Sequence, residues 1–206
     1  MDRTILYILA LLLLGILTYL RRRERVVVGK VGEWAVSKSL KQLDNYTVID
    51  DLLLPSDGNT TNTQIDHVLV SKFGIFCIET KTYKGWIFGN ANEKQWTHVN
   101  FKRKDKFYNP LYQNFAHTKA LKSLLGEQRL KAPIVPLVIF RAAGKIQVTG
   151  TDNVGNTLEV INKIKSFSTP IYSDEEVADI VRLVSSANIT DSVKRKAHNK
   201  QVASKL

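Results

Sequence analysis

The stretch TQIDHVLVSKFGIFCIETK, residues 63–81, decides the fold of this 206-residue chain. Apolar residues fill both halves of the stretch, and Lys72-Phe73-Gly74 separates them in the manner of a tight turn. This pattern predicts two adjacent antiparallel strands. Because residues two apart in a strand share a face, Glu79 and Lys81 are expected to project together, and the hairpin can bring Asp66 beside them.

Charged side chains inside apolar strands cost several kcal/mol when they are buried without a partner. One explanation is a site for a hard cation, in which Asp66 and Glu79 offer carboxylate oxygens to Mg²⁺ or Mn²⁺. Lys81 would then orient or deprotonate a water molecule, or neutralise charge that develops on a phosphate. The alternative is a cross-strand ion pair on a solvent-facing side of the sheet, and the pattern alone leaves both open.

Working outward, the sequence predicts a mixed α/β domain around a central sheet. A first amphipathic helix is expected over Gly29–Lys41, with Glu33 beside its apolar stripe. The remaining strands are expected at Tyr46–Leu54, Thr63–Ser71, Gly74–Thr82, Gly85–Asn90, Gln95–Asn100, Pro133–Phe140, Lys145–Thr149 and Leu158–Ile164. Helices are expected from the Asn109-Pro110 start to Gly126, and from the Ser173/Glu176 capping box to about Ser185.

The N-terminal segment Thr4–Leu20 carries no charge, and arginines follow it at positions 21, 22, 23 and 25. A helix of this length spans about 25 Å, near the lower limit for a bilayer core. A cleaved signal peptide would carry its basic charge before the apolar run and a small-residue cleavage site after it, whereas here the basic cluster follows. An uncleaved transmembrane anchor is expected, with the rest of the chain in the cytoplasm by the positive-inside rule.

The chain carries 30 Lys and Arg against 19 Asp and Glu, a formal net charge of +11. Such a surplus favours polyanionic neighbours, either nucleic acid or acidic lipid, over acidic protein substrates. The single cysteine, Cys77, excludes an intramolecular disulfide framework and a cysteine-rich zinc site.

Several blocks of the sequence, in order, resemble the nuclease-related domain (NERD) family, a branch of the PD-(D/E)xK nuclease superfamily. They extend from about Gly29 to Phe140 and read GEWAVSKSL, TQIDHVLVSKFGIFCIETKTYKGWIFGN, QWTHV and NPLYQNFAHTKAL. The resemblance implies a restriction-endonuclease-like mixed central sheet flanked by helices. It also implies a catalytic set in which Asp66 and Glu79 bind the metal, Lys81 serves the attacking water, and Glu33 and Gln113 assist.

From this resemblance we expect a membrane-anchored nuclease that faces the cytoplasm and uses Mg²⁺ or Mn²⁺ to hydrolyse DNA. The motif does not distinguish deoxyribose from ribose, so RNA is an alternative substrate. Two alternatives remain: a non-catalytic module that tethers nucleic acid to the membrane, and a scaffold whose basic segments bind anionic lipid. The expected organisation is an anchor at 4–20, a basic juxtamembrane linker at 21–28, the nuclease-like domain at 29–145, a packed extension at 146–190 and a frayed basic tail at 191–206.

Candidate nucleic-acid contacts are a basic loop of Lys102, Arg103, Lys104 and Lys106, together with Lys84. Aromatic residues of the nearby hairpin, namely Trp86, Phe88 and Trp96, could stack on bases or complete a core. On the helix after Pro110, His117 lies four residues from Gln113, so both could face the site; the alternative is a polar helix face that is hydrogen-bonded to nearby loops. His67 is expected to point away from Asp66 as a packed structural histidine.

Overall fold

A computed structural model describes residues 3–55, 62–101 and 103–203 of the chain. Five α-helices and nine β-strands are present in these residues. The helices are α1 Arg3–Leu40, α2 Pro110–Leu125, α3 Thr157–Ser166, α4 Asp174–Ser186 and α5 Ser192–Ala203. The strands are β1 Tyr46–Leu54, β2 Thr63–Ser71, β3 Gly74–Lys81, β4 Gly85–Asn90, β5 Gln95–Asn100, β6 Arg103–Tyr108, β7 Val135–Phe140, β8 Ala143–Thr149 and β9 Val154–Gly155.

The strands form two mixed sheets flanked by helices, which confirms the predicted α/β class and divides the expected central sheet in two. The larger sheet has the order β1-β2-β3-β7-β9, with β1, β2 and β3 antiparallel and β7 and β9 added in parallel. The smaller sheet has the order β6-β5-β4-β8. Its strand β8 crosses the expected domain boundary at residue 145 and pairs in parallel with β4.

Helices cover both faces of the larger sheet. On one face α2 contributes Leu121 and Leu125 to a core that also includes residues of α4. On the other face α1 contributes Val36 and Leu40, together with α3. Because both faces are buried, β3 reads as a nearly continuous apolar run, and the charged residues at its end stand out.

Helix α2 forms where its caps predict. The Asn109 side chain accepts a hydrogen bond of 2.9 Å from the N–H of Leu111, and Pro110 occupies the first helical position. Gly126 ends the helix with a φ of 69°, a conformation that glycine adopts without steric cost. The capping box of Ser173 and Glu176 likewise starts α4 as expected.

Four segments differ from the sequence-based expectations. Residues 158–164, expected as a strand, lie in α3, which a capping box of Asn156 and Glu159 starts. The basic loop is instead strand β6, which pairs with β5 along its length. The helix expected to begin at Gly29 begins instead at Arg3 and includes residues 21–28, and most of the expected frayed tail forms α5.

Helix α1 runs without a break from the apolar N-terminal segment into the domain. It contains one apolar stretch long enough to cross a membrane by length and composition, with a mean hydropathy of 2.0 and none of it buried against the rest of the chain. Its other end packs on the sheet at Gly32, where a Cβ atom would collide with the side chain of Thr82. Glycine is therefore required for this close approach of α1 to the end of β3.

Candidate active site

The site lies where the carboxyl end of β3 meets β2. The two strands pair antiparallel with His67 opposite Ile78, and continuing this register places Asp66 opposite Glu79. Residues directly opposite each other in an antiparallel pair project to the same side of the sheet. The hairpin therefore brings Asp66, Glu79 and Lys81 to the face that α2 covers, as the sequence predicts.

Glu79 is the centre of a cluster of polar side chains. It is only 3% exposed, and its Oε1 atom lies 2.7 Å from the Nζ atom of Lys81. Two residues of α2 complete the cluster: Lys81 Nζ donates a 2.9 Å hydrogen bond to Gln113 Oε1, and His117 Nε2 lies 3.2 Å from Glu79 Oε2. Gln113 is therefore a direct neighbour of Lys81 in the described structure.

Asp66 and Glu33 stand beside this cluster. One carboxylate oxygen of Asp66 accepts a 2.7 Å hydrogen bond from the backbone N–H of Thr80. Glu33, on α1, is close enough to Asp66 and Glu79 for the charges of the acids to repel one another. The helix thus approaches the acidic group from the opposite side of the sheet to α2.

The pKa values of Glu79 and Asp66 are shifted in opposite directions. Burial opposes the charge on Glu79, but the Lys81 ammonium and His117 outweigh burial and hold the pKa of this carboxyl well below its usual range. Burial lowers the pKa of Lys81, yet Glu79 and Asp66 reverse this and keep it above its usual value. For Asp66, burial and then the charges of Glu79 and Glu33 raise the pKa well above its usual range. Burial also raises the pKa of Glu33.

The donor chemistry of this group fits a divalent cation, because carboxylate oxygens are the ligands that Mg²⁺ and Mn²⁺ prefer. Glu79 Oε2 is buried and makes no hydrogen bond of good geometry. The mutual repulsion that raises the pKa of Asp66 is also what a cation would relieve. In the described part of the chain, no three His, Cys, Asp or Glu side chains already stand in a metal-holding arrangement, so Asp66 and Glu79 would need further ligands such as water.

His67 points to the other face, as expected, and is 1% exposed. Its Nδ1 atom lies 2.7 Å from Asp50 Oδ1 on β1. Asp50 also accepts hydrogen bonds from Ser37, which lies on α1, and from Lys41, which directly follows α1. This network attaches α1 to the sheet one residue away from Asp66. The histidine is a structural partner of Asp50.

Sequence reasoning gave too little weight to two residues of α2. His117 was open between a site role and a packing role, and the structure places it between Glu79 and Thr63, whose Oγ1 is 2.6 Å from His117 Nδ1. Asn114 is fully buried and its Nδ2 group donates to the carbonyls of Cys77 and Leu137, which joins β3 to β7. The spacing of three and four residues, which sets both Gln113 and Asn114 beside His117 on one side of the helix, was the available signal.

A second unpredicted contact comes from α5. Arg195 donates hydrogen bonds of 2.8 Å to the Asp51 carboxylate and 2.7 Å to the Asp51 carbonyl. Asp51 has a φ of 53°, which few residues other than glycine adopt, and Gln64 Nε2 holds its other carboxylate oxygen at 2.6 Å. The C-terminal helix therefore fixes a distorted point of β1 that lies between the Asp50–His67 and Leu52–Ile65 pairs, at the level of Asp66 on β2.

The described residues among the candidate nucleic-acid contacts lie on the smaller sheet and in the segment that joins it to β3. Lys84 precedes β4, while Arg103, Lys104 and Lys106 lie on β6, exposed to solvent. Arg103 pairs with Asp105 at 2.8 Å. Lys102 lies outside the described residues.

The sequence model of the nuclease-related domain family (NERD) matches residues 28–141, more than half of the chain. The chain is also 32% identical over 184 residues to a protein of Bacillus anthracis that is itself described as uncharacterized, covering 86% of this chain and 85% of that relative. No solved structure matches. This protein therefore belongs to the nuclease-related domain family, and membership of the PD-(D/E)xK superfamily is consistent with that family.

Proposed function

We propose that the protein is a membrane-anchored, metal-dependent nuclease that hydrolyses DNA phosphodiester bonds. The observation that carries the proposal is the meeting of Glu79, Lys81 and Gln113 within hydrogen-bonding distance, with Asp66 opposite Glu79 on the neighbouring strand. An acid pair beside a partly buried lysine is the arrangement expected for hydrolysis of a phosphodiester. Membership of the nuclease-related family supports the same chemistry.

Asp66 and Glu79 would hold Mg²⁺ or Mn²⁺, with Glu33 assisting. When bound, the cation supplies the Lewis acid that polarises a phosphodiester. Glu79 is ready for this role because its pKa is held low, whereas Asp66 must lose its proton before it can act as a ligand. Metal binding is therefore expected to release a proton.

Lys81 is an ammonium in this arrangement, because the neighbouring carboxylates keep its pKa above the usual value. As an ammonium it orients the attacking water and stabilises negative charge that develops on the phosphate. Gln113 holds Lys81 through its Oε1 atom, and His117 holds Glu79. Gln113 and His117 thereby fix the positions of Lys81 and Glu79 relative to each other.

Helix α1 supplies the proposed anchor. Its apolar stretch spans Thr4–Leu20, and the arginines that follow this stretch favour a cytoplasmic position for the domain by the positive-inside rule. The net charge of +11 suits a polyanionic substrate.

A plasmid-nicking assay on the full chain in detergent tests the proposal. Mg²⁺ should support conversion of supercoiled to open-circular DNA and EDTA should stop it. Lys81→Ala and Glu79→Gln should each lower the rate by about 10²–10³-fold, the usual effect of removing one group that stabilises charge in a transition state. Lys122→Ala, an exposed lysine on the same helix as Gln113, is the matched control and should cleave normally. Undiminished cleavage in both site variants would reject the assignment.

The second candidate function is a non-catalytic module that tethers nucleic acid to the membrane. The observation in its favour is that Glu79 is already engaged by Lys81 and His117, and that the described residues hold no ready three-ligand metal group. Such a module would bind DNA in a salt-sensitive manner without turnover. Lys81→Ala would leave that binding unchanged, which separates the two functions.

A further inference from the structure

The smaller sheet presents one face to solvent, and this face combines aromatic side chains with lysines. The strand registers align Lys104, Val99, Trp86 and Lys145 in one row across β6, β5, β4 and β8, and Lys106, Thr97, Phe88 and Gln147 in the next. Partners in register project to the same side of a sheet. We call the surface formed by Trp86, Phe88, Lys104, Lys106 and Lys145 the outer face.

The opposite side of this sheet is core. Trp96 and Ile87 are 0% exposed and pack with Phe140 of β7. On the outer face, by contrast, Trp86 is 52% exposed, and Phe88 is partly exposed. The structure thus divides the aromatic residues of the hairpin: Trp96 completes a core, while Trp86 and Phe88 are open to a ligand.

Lysines border these two rings on both edges of the sheet. Lys104 and Lys106 lie exposed on β6, and Lys145 lies exposed on β8 with its Nζ atom 5.7 Å from the centre of the Trp86 ring and 6.0 Å from that of Phe88. The acidic residue of β6, Asp105, pairs in register with His98 and so belongs to the opposite side. The two rows of the outer face therefore carry only positive charge.

A cleft of about 460 Å³ lies next to Trp86, lined by Lys84, Gly85, Val99, Asn100 and Phe101. The Phe101 side chain is 97% exposed at the turn before β6. Gly85 has a φ of 101°, and a Cβ atom there would collide with the carbonyl of Val99, so only glycine allows this close pairing beside the cleft. The cleft adds a third aromatic ring, Phe101, and a further lysine, Lys84, to the edge of the outer face.

These features fit one class of ligand. Aromatic rings that stack on bases, combined with lysines that follow a phosphate backbone, are how proteins bind single-stranded nucleic acid without reading its sequence. A duplex keeps its bases stacked on one another, so its base faces are not free to contact Trp86 or Phe88. Charge complementarity and open rings together favour an unpaired strand over a duplex.

We propose that the outer face binds the unpaired bases of a single-stranded nucleic acid. Trp86 follows Lys81 by five residues, so the chain passes from the end of β3 straight into the smaller sheet. In the proposed nuclease, a surface that holds unpaired strands makes single-stranded DNA the preferred substrate. That last step rests on the proposed nuclease function, whereas binding itself does not.

Binding is measured by fluorescence anisotropy with the full chain in detergent and a labelled oligo(dT) strand, in EDTA so that no metal-dependent cleavage occurs. Trp86→Leu and Phe88→Leu should each weaken binding about tenfold. Trp86→Phe keeps a stacking ring and should stay within about threefold of the parent. Lys104→Ala and Lys145→Ala should each reduce the salt dependence of binding by about one released counterion.

Exposed aromatic residues elsewhere supply matched controls. Trp34→Leu on α1 and Phe115→Leu on α2 remove rings that are 65% and 67% exposed, and both variants should bind as the parent does. Circular dichroism confirms that each variant is folded.

Three outcomes would overturn the proposal. Equal affinity for a duplex and a single strand would do so, as would oligo(dT) binding that the Trp86→Leu and Phe88→Leu variants retain. If those variants instead lose binding to anionic vesicles while oligo(dT) binding persists, the outer face contacts lipid. Because these assays need no turnover, loss of nuclease activity in the plasmid assay leaves this proposal standing, and the reverse also holds.

Discussion

Burial of Asp66, together with its repulsion by Glu79 and Glu33, predicts that removing the charge of Asp66 stabilises the fold. Asp66→Asn keeps an oxygen that can accept the hydrogen bond from Thr80 N–H but removes the charge that the neighbouring acids oppose. Each pH unit by which a pKa is raised on folding corresponds to about 1.4 kcal/mol of lost stability once the group is ionised. Relief of even one unit would raise the melting temperature of a chain of this size by about 3–6 °C.

The effect has a defined pH dependence. A carboxyl whose pKa is higher in the folded than in the unfolded state destabilises the fold above its unfolded pKa, and the cost grows as pH rises toward the folded value. Asp66→Asn should therefore stabilise little at about pH 4 and most at about pH 8. The same variant should lose any rise in melting temperature that Mg²⁺ gives the parent protein.

Thermal unfolding of the full chain in detergent, followed by tryptophan fluorescence, measures this. Asp44→Asn removes an exposed carboxylate elsewhere and serves as the matched control. If Asp66→Asn lowers the melting temperature at about pH 8 while the control leaves it unchanged, the acids do not repel one another in the folded protein and the electrostatic reasoning fails.

Three further predictions concern the contacts around the site. Asp50→Asn should lower the free energy of unfolding by about 1–3 kcal/mol at neutral pH, because the partners of Asp50 hold its pKa low. This stabilisation exists above the pKa of Asp50 in the unfolded chain and is lost as pH falls, so urea titrations should show the difference from the parent shrinking below about pH 4. A difference that does not change with pH would contradict this prediction. Asn114→Ala should cost about 2–3 kcal/mol in urea unfolding by removing two buried hydrogen bonds, and a loss under about 0.5 kcal/mol would show that the bonds do not hold α2 to the sheet. Arg195→Ala should cost about 1–2 kcal/mol and speed hydrogen exchange in α5, whereas Arg182→Ala, an exposed arginine on α4, should leave that exchange unchanged.

The hairpin of β2 and β3 could be predicted because every signal for it is local: two apolar runs, a tight turn and charged residues at fixed register. The placement of Asp66 opposite Glu79 follows from that register. Helix α2 was predictable for the same reason, since its start and end are set by Asn109, Pro110 and Gly126.

Other parts were misread for physical reasons. Residues 158–164 are a short apolar run whose period does not separate strand from helix, and the capping pattern of Asn156 and Glu159 was the better indicator. Strand β6 is an edge strand in which Phe107 is the main apolar residue facing the core, so its lysines gave the pattern of a loop.

The contact of Arg195 with Asp51 joins residues 144 positions apart. Neither residue belongs to a local pattern, and only the folded arrangement of α5 against β1 brings them together. The same limit explains why the place of Lys145 in the outer face could not be foreseen, because it depends on β8 pairing beside β4.

The unbroken course of α1 has a mechanical consequence. With its apolar part embedded in a bilayer, the thirteen residues from Arg21 to Glu33 would form a helical stalk of about 20 Å. Because Gly32 packs directly against Thr82, this stalk would hold Asp66 and Glu79 at a fixed distance from the lipid headgroups. In the proposed nuclease, this placement would favour cleavage of strands that lie close to the membrane surface over polymers in the bulk solution.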